Sequence, residues 1–204
     1  TSGNYNTGLG YISLYSNTTG IANTAVGYSA LSTNTTGSSN IAIGTNALGS
    51  NTAGNTNIAI GCDSLRTNTT GGNNVVVGTS AMYYNTTGVN NTAIGNSALN
   101  ANTTGSYNVA VGSYALSAST TGVNSVAVGY YALGATTTGT YNTAVGTQAL
   151  NSSTTASGNC AFGNAAAYSI TTGGNNTALG YAALYTTTTG TDNAAVGWSA
   201  LYSN

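Results

Sequence analysis

Small and large apolar residues recur along this chain at a fixed spacing, set in a polar background of Asn, Thr, Ser and Gly. The stretch NTTGSSNIAIGTNALGSNTAGNTNIAIG, residues 34–61, holds NIAIG twice, 17 residues apart. The register runs without insertion: Asn6, Asn23, Asn40, Asn57, Asn74, Asn91, Asn108, Ser125, Asn142, Asn159, Asn176 and Asn193 head successive units. Twelve units of 17 account for all 204 residues. Counting from the heading Asn, position 5 is Gly in every unit, from Gly10 to Gly197, and position 3 is Ala except at Gly8 and Val76. Position 4 is always a larger apolar residue, position 8 is Ala or Ser, and position 9 is Leu except at Met82 and Ala167. Positions 12–15 read NTTG or a close variant, degenerate at Asn51-Thr52-Ala53-Gly54 and Ser153-Thr154-Thr155-Ala156.

A period this short excludes helical repeats, which need about 30 residues or more per unit, and Gly, Asn and Thr are poor interior helix residues. Positions 2–4 predict a short strand, because Val and Ile favour the pleated surface. A second short strand is expected around positions 8–10, and NTTG carries the chemistry of a turn. Each unit is then one coil of an all-β parallel β-solenoid, a β-roll. With coils about 4.8 Å apart, twelve make a rod of roughly 58 Å. Strand parity puts positions 2, 4 and 9 in the core, as with Ile41, Ile43 and Leu48 or Val109, Val111 and Leu116, and turns the Ala at position 3 and the Gly at position 5 outward. That outer column is smooth enough for another sheet to approach closely. The Asn at position 1 is expected to stack into an amide ladder up the rod. Three aliphatic side chains per coil make a thin core for 17 residues, so burial between chains is expected as well.

Residues 1–204 read as a single tandem-repeat domain with no capping segment at either end. Thr1–Tyr5 has the form of a unit's tail and Asn193–Asn204 that of a unit's head, and together they complete one unit in phase. A window on a longer array, an expression boundary and a protomer that stacks head to tail all fit. Uncapped coil ends present unpaired edges, so the isolated segment is expected to polymerise end to end or to need flanking caps.

The core Asn108-Val109-Ala110-Val111-Gly112-Ser113-Tyr114-Ala115 and its eleven relatives resemble the head repeats of trimeric autotransporter adhesins, the YadA-like heads. That resemblance implies a left-handed parallel β-roll with three chains packed side by side. The longer NTAxGxxALxxNTTG unit is similar to arrays in bacterial surface proteins and phage tail-fibre-like proteins. Both imply an extracellular or cell-surface location, or a virion fibre.

Composition narrows function mainly by exclusion. The chain has no His, Lys, Glu or Pro, and its charged residues are Asp63, Arg66 and Asp192. General acid–base catalysis needs a His, a carboxylate pair or a tuned Lys, and a nucleophile needs an activating base. Cys62 beside Asp63 stands where other units have Thr, Tyr or Asn, and reads as variation at an outer position. No catalytic, cofactor-binding or metal-binding residue is assigned, no cofactor is expected, and the expectation is a protein that is not an enzyme. A lone Arg66 gives no basic surface for nucleic acid, and no apolar run is long enough for membrane insertion as a helix. Cys62 and Cys160, six coils apart and so roughly 29 Å from each other, are too distant for a disulfide. Cys160, at position 2, is expected in the core.

Surface features point to binding. Tyr15, Tyr83, Tyr168, Tyr185 and Tyr202 at position 10, and Tyr11, Tyr28, Tyr130, Tyr181 and Trp198 at position 6, either stack on one another or offer faces to a host-surface glycan or protein receptor. Eight Asn-x-Ser/Thr sequons occur, five of them in the turn at Asn17, Asn34, Asn68, Asn85 and Asn102. The sequence reading is a structural fibre, adhesin or tail fibre whose partners are copies of itself, as an end-to-end filament or a side-by-side homotrimer. The alternative is an ice-binding protein using ranked Thr pairs such as Thr35-Thr36, Thr86-Thr87, Thr103-Thr104 and Thr120-Thr121.

Overall fold

The computed structural model describes residues 3–203, so Thr1, Ser2 and Asn204, parts of the two half-units, lie outside the described residues. Twelve three-residue strands, from β1 (Thr7–Leu9) to β12 (Ala194–Val196), occupy positions 2–4 of successive units. They form one parallel sheet in strict sequence order. Register is uniform: Ala42 faces Ala59 as Ile41 faces Ile58, a shift of one unit at every step. The chain is therefore a parallel β-solenoid of 17-residue coils, as the periodicity predicts.

The expected strand parity is inverted. Ala at position 3 points inward, with Ala25, Ala42, Ala59, Ala93 and Ala110 fully buried. Positions 2 and 4 point outward: Ile43 is 39% exposed and Phe162 42%. Cys160 likewise sits half-buried on the outer face and not in the core. The reason is the narrowness of the coil. A methyl placed on Gly8, the position-3 residue of the first unit, would lie 3.1 Å from Ser13 Oγ and 3.8 Å from Leu14 Cδ1. The gap between strand and opposite wall thus fits one methyl group beside a position-9 leucine, and the branched Val76 turns inward in the unit where Met82 replaces that leucine. Leu at position 9 and Ala at position 8 fill that wall, as at Ala47-Leu48 and Ala132-Leu133.

The second predicted strand is a turn. Position 5 glycines have φ near +130°, and positions 7 and 9 are left-handed, as at Asn46 (φ 54°) and Leu48 (φ 51°). Two left-handed residues flanking position 8 stop the chain from extending, although its main chain still bonds between coils: Leu48 N donates to Ser64 O at 3.0 Å, and Asn46 N donates to Tyr28 O at 2.8 Å. A third left-handed column at position 17 turns the chain into the next strand.

Two amide columns complete the interior. At position 1, Asn40 N and Nδ2 donate to Asn23 Oδ1 of the preceding coil at 3.0 and 3.1 Å, and Nδ2 also donates to Gly54 O at 2.9 Å. At position 12, Asn51 Nδ2 donates to Asn34 Oδ1 at 2.8 Å and to the same Gly54 O at 3.0 Å. The expected position-1 ladder is present, and a second one lies beside it. Away from the rod's ends both are buried, and the regular amides there, such as Asn40 and Asn51, replace their lost water contacts with protein partners. The glycine of NTTG is buried between them, where a Cβ on Gly37 would meet Asn34 Oδ1 at 2.4 Å.

Candidate interaction surface

Because Ala fills the interior, the branched residues of the sheet form an outer face. Ile41, Ile43, Ile60, Val75, Ile94 and Phe162 stand in two adjacent columns across the strands. The strip follows the sheet from coil to coil, with an apolar residue at position 4 of every unit, and continuous exposed apolar surface rimmed by polar residues is where interaction sites are found. No charge interrupts it. Asp63 and Arg66 lie at positions 7 and 10, joined by an ion pair of 3.2 Å, and Asp192 lies at position 17. Thr at position 2 (Thr7, Thr24, Thr92, Thr143, Thr177) keeps the β-branched shape and adds hydroxyls along one column.

Many aromatic residues pack on a ring of the neighbouring coil, whereas Tyr15, Tyr107 and Tyr141 stand exposed outside any ring pair among the described residues. Tyr168, Tyr185 and Tyr202 form a column with ring centres 5.2 and 5.0 Å apart and planes within 11°. Tyr11 stacks on Tyr28 at 5.6 Å, and Tyr181 on Trp198 at 6.1 Å. Tyr114 and Tyr131, at position 7, stack at 4.8 Å. Stacking along the rod turns ring faces toward neighbouring coils and ring edges toward solvent. A sugar ring stacks on an exposed face, so only the end of each column offers one. Tyr83 is held by Arg66, whose guanidinium lies 5.6 Å from the ring centre and whose Nη1 donates to Tyr83 Oη at 3.0 Å.

The two residues of each Thr pair have different roles. Position 13 hydroxyls bond up the rod: Thr35 Oγ1 donates to Thr52 O at 3.0 Å, Thr86 Oγ1 to Thr103 O at 3.0 Å, and Thr120 Oγ1 to Thr137 O at 3.2 Å. Position 14 is exposed, as at Thr36, Thr87, Thr104 and Thr121. The rank is one threonine wide and is broken at Ala53. The turn sequons fare differently from an exposed turn, since Asn34, Asn68, Asn85 and Asn102 are buried in the position-12 ladder and closed to glycosylation in the folded rod. Asn90 and Asn175, at position 17, are exposed.

Cys62 is exposed and its Sγ donates to Asp63 Oδ2 at 3.5 Å. Desolvation, then the bond to Asp63 and its charge, push the thiol above its ordinary value. The group is held as a thiol, the less reactive form. Among the described residues no cluster of three or more His, Cys, Asp or Glu side chains could hold a metal ion, no pocket opens in the surface, and no helix is long and apolar enough to cross a membrane.

Sequence reasoning missed the outward strand face and the second buried column. Both left signals. Thr and Val exchange freely at position 2, as a half-exposed site allows, while Ile170 at position 12 sits in a column of Asn, Ser and Thr and marks it as buried.

Fold and surface together define a β-solenoid with a repetitive, nearly uncharged exterior. No protein-family model, curated protein or solved structure matches the chain.

Proposed function

We propose that this chain is a non-enzymatic structural rod of an extracellular or cell-surface fibre, an adhesin or a tail fibre, which associates with copies of itself along its outward strand face. The observation that carries this reading is the uncharged apolar strip on the sheet. An interior of Ala, Leu and Asn buries little apolar area per coil, and a second sheet laid on the Val and Ile columns adds what the interior lacks. Copies of one chain suit this face because its columns have the same spacing as those of its partner. Side-by-side bundles, the homotrimer included, follow from such packing. End-to-end filaments belong to the same proposal, since successive coils join through parallel main-chain pairing in one uniform register, which a stacked copy would continue. Host receptors, glycan or protein, would be engaged multivalently by weak contacts repeated at each coil.

Sedimentation velocity tests the lateral contact. The wild-type chain is expected to run as a multi-chain particle, and Ile60→Glu with Ile94→Glu is expected to shift it to smaller species with an unchanged circular dichroism spectrum. A wild-type monomer, or a double variant that assembles as the wild type does, would contradict the reading.

The exposed threonine file at position 14 supports a second reading, ice binding, because its spacing is regular. Thermal hysteresis abolished by Thr87→Lys and Thr104→Lys would establish it, and no hysteresis in the wild type would remove it.

A further inference from the structure

The position-12 amide ladder runs unbroken from Asn17 to Asn102 and then stops, because the next three units carry Ser119, Thr136 and Ser153. Four side-chain atoms at this break are buried with no hydrogen-bond partner: Asn102 Oδ1, Ser119 Oγ, Thr136 Oγ1 and Ser153 Oγ. They occupy four consecutive coils of one column. Buried polar groups of this kind are expected to be paired, and ordered water is the common partner where protein atoms are missing.

The intact ladder shows where such partners belong. In each regular coil the position-12 Nδ2 donates twice, to the Oδ1 of the coil before and to the position-15 carbonyl of its own coil, as Asn85 does to Asn68 Oδ1 at 2.7 Å and Gly88 O at 3.2 Å. Ser119 has no such nitrogen. Its coil retains one donor to Gly122 O, Asn108 Nδ2 at 2.8 Å, and lacks the second. In the coil of Ser153, Ala156 O likewise keeps Asn142 Nδ2 at 2.7 Å and lacks the other. Serine is two non-hydrogen atoms smaller than asparagine, which frees about the volume of one water molecule at each place. Threonine is close to asparagine in size and frees none, so the middle coil has an unpaired hydroxyl without added room.

We infer that two buried water molecules replace two of the three missing amide nitrogens, those of the Ser119 and Ser153 coils. The first donates to Asn102 Oδ1 and Gly122 O and accepts from Ser119 Oγ. The second donates to Thr136 Oγ1 and Ala156 O and accepts from Ser153 Oγ. Each then makes three hydrogen bonds, the usual number for a buried water. Two waters satisfy all four unpartnered atoms, and the apolar Ile170 in the following coil ends the hydrated stretch. The rod interior is therefore dry and amide-paired in its first half and hydrated at two defined points in its second.

High-resolution structures of the wild-type chain and of Ser119→Asn with Ser153→Asn test this. The wild type is expected to show one density peak within hydrogen-bonding distance of each of the two triads. In the double variant a side-chain nitrogen is expected in place of each peak, donating to the same two acceptors. Empty density at both triads in the wild type, with the serine hydroxyls turned to main-chain carbonyls, would overturn the inference. So would a double variant whose asparagines are expelled from the interior, because that would mean the space for water does not exist.

Discussion

At the scale of single residues the rod depends on side chains that carry hydrogen bonds from coil to coil. Asn74 is buried, accepts from Asn91 N at 3.0 Å and from Asn91 Nδ2 at 3.2 Å, and donates to Gly88 O at 3.0 Å. Asn74→Ala leaves the Asn91 N–H buried without its acceptor and is expected to cost about 1–3 kcal/mol in chemical denaturation. Ser125 is the natural exception in this column, and Asn142 N reaches its Oγ at only 3.3 Å. Ser125→Asn restores the regular ladder and is expected to raise the denaturation midpoint. The position-5 glycines are constrained more severely. A Cβ on Gly95 would lie 2.6 Å from Gly112 C, and its φ of +132° is foreign to other residues. Gly95→Ala is expected to destabilise by at least the ~1–3 kcal/mol of a strained backbone site, with the clash added. The invariance of this glycine over twelve units made the constraint legible in the sequence. The left-handed leucines at position 9 were not legible, because leucine carries no local preference for positive φ and is held there by burial of its side chain.

At the scale of the coil, alternation was correctly read as a strand, but which face turned inward was not. Hydrophobicity favoured burying Val and Ile, whereas the space across the coil admits only a methyl beside Leu. Adjacent substitutions of the same type separate the two readings. Ala110→Thr pushes a branched chain and a hydroxyl into the filled interior and is expected to cost about 1–3 kcal/mol. Val111→Thr changes the outer face and is expected to stay within ~0.5 kcal/mol in the dispersed chain. The departures from the repeat occur in pairs within a unit. Val76 replaces the inward Ala in the unit where flexible Met82 replaces Leu, and Ala167 replaces Leu in the unit where Ile170 replaces a polar residue. Ala167→Leu and Ile170→Asn are accordingly expected to be non-additive: each alone destabilises, and the double variant recovers part of the loss, with a coupling of about 1–3 kcal/mol in a double-mutant cycle.

At the scale of the whole molecule, each coil contacts only its neighbours, so stability is close to a sum of coil and interface contributions. The three charges give salt little to screen, and assembly of the wild-type chain is expected to change little with ionic strength. The solenoid and its period were legible from the repeat alone, because a 17-residue unit leaves few ways to stack. The surface that joins chains was not, since it depends on which strand face the narrow interior rejects. Cryo-electron microscopy of the assembled wild-type chain tests that surface most directly. The account predicts cross-sections of more than one chain, with the columns of Ile43, Ile60 and Ile94 buried between sheets. Single rods whose strand faces meet only solvent, or bundles joined through the threonine or tyrosine columns, would contradict it.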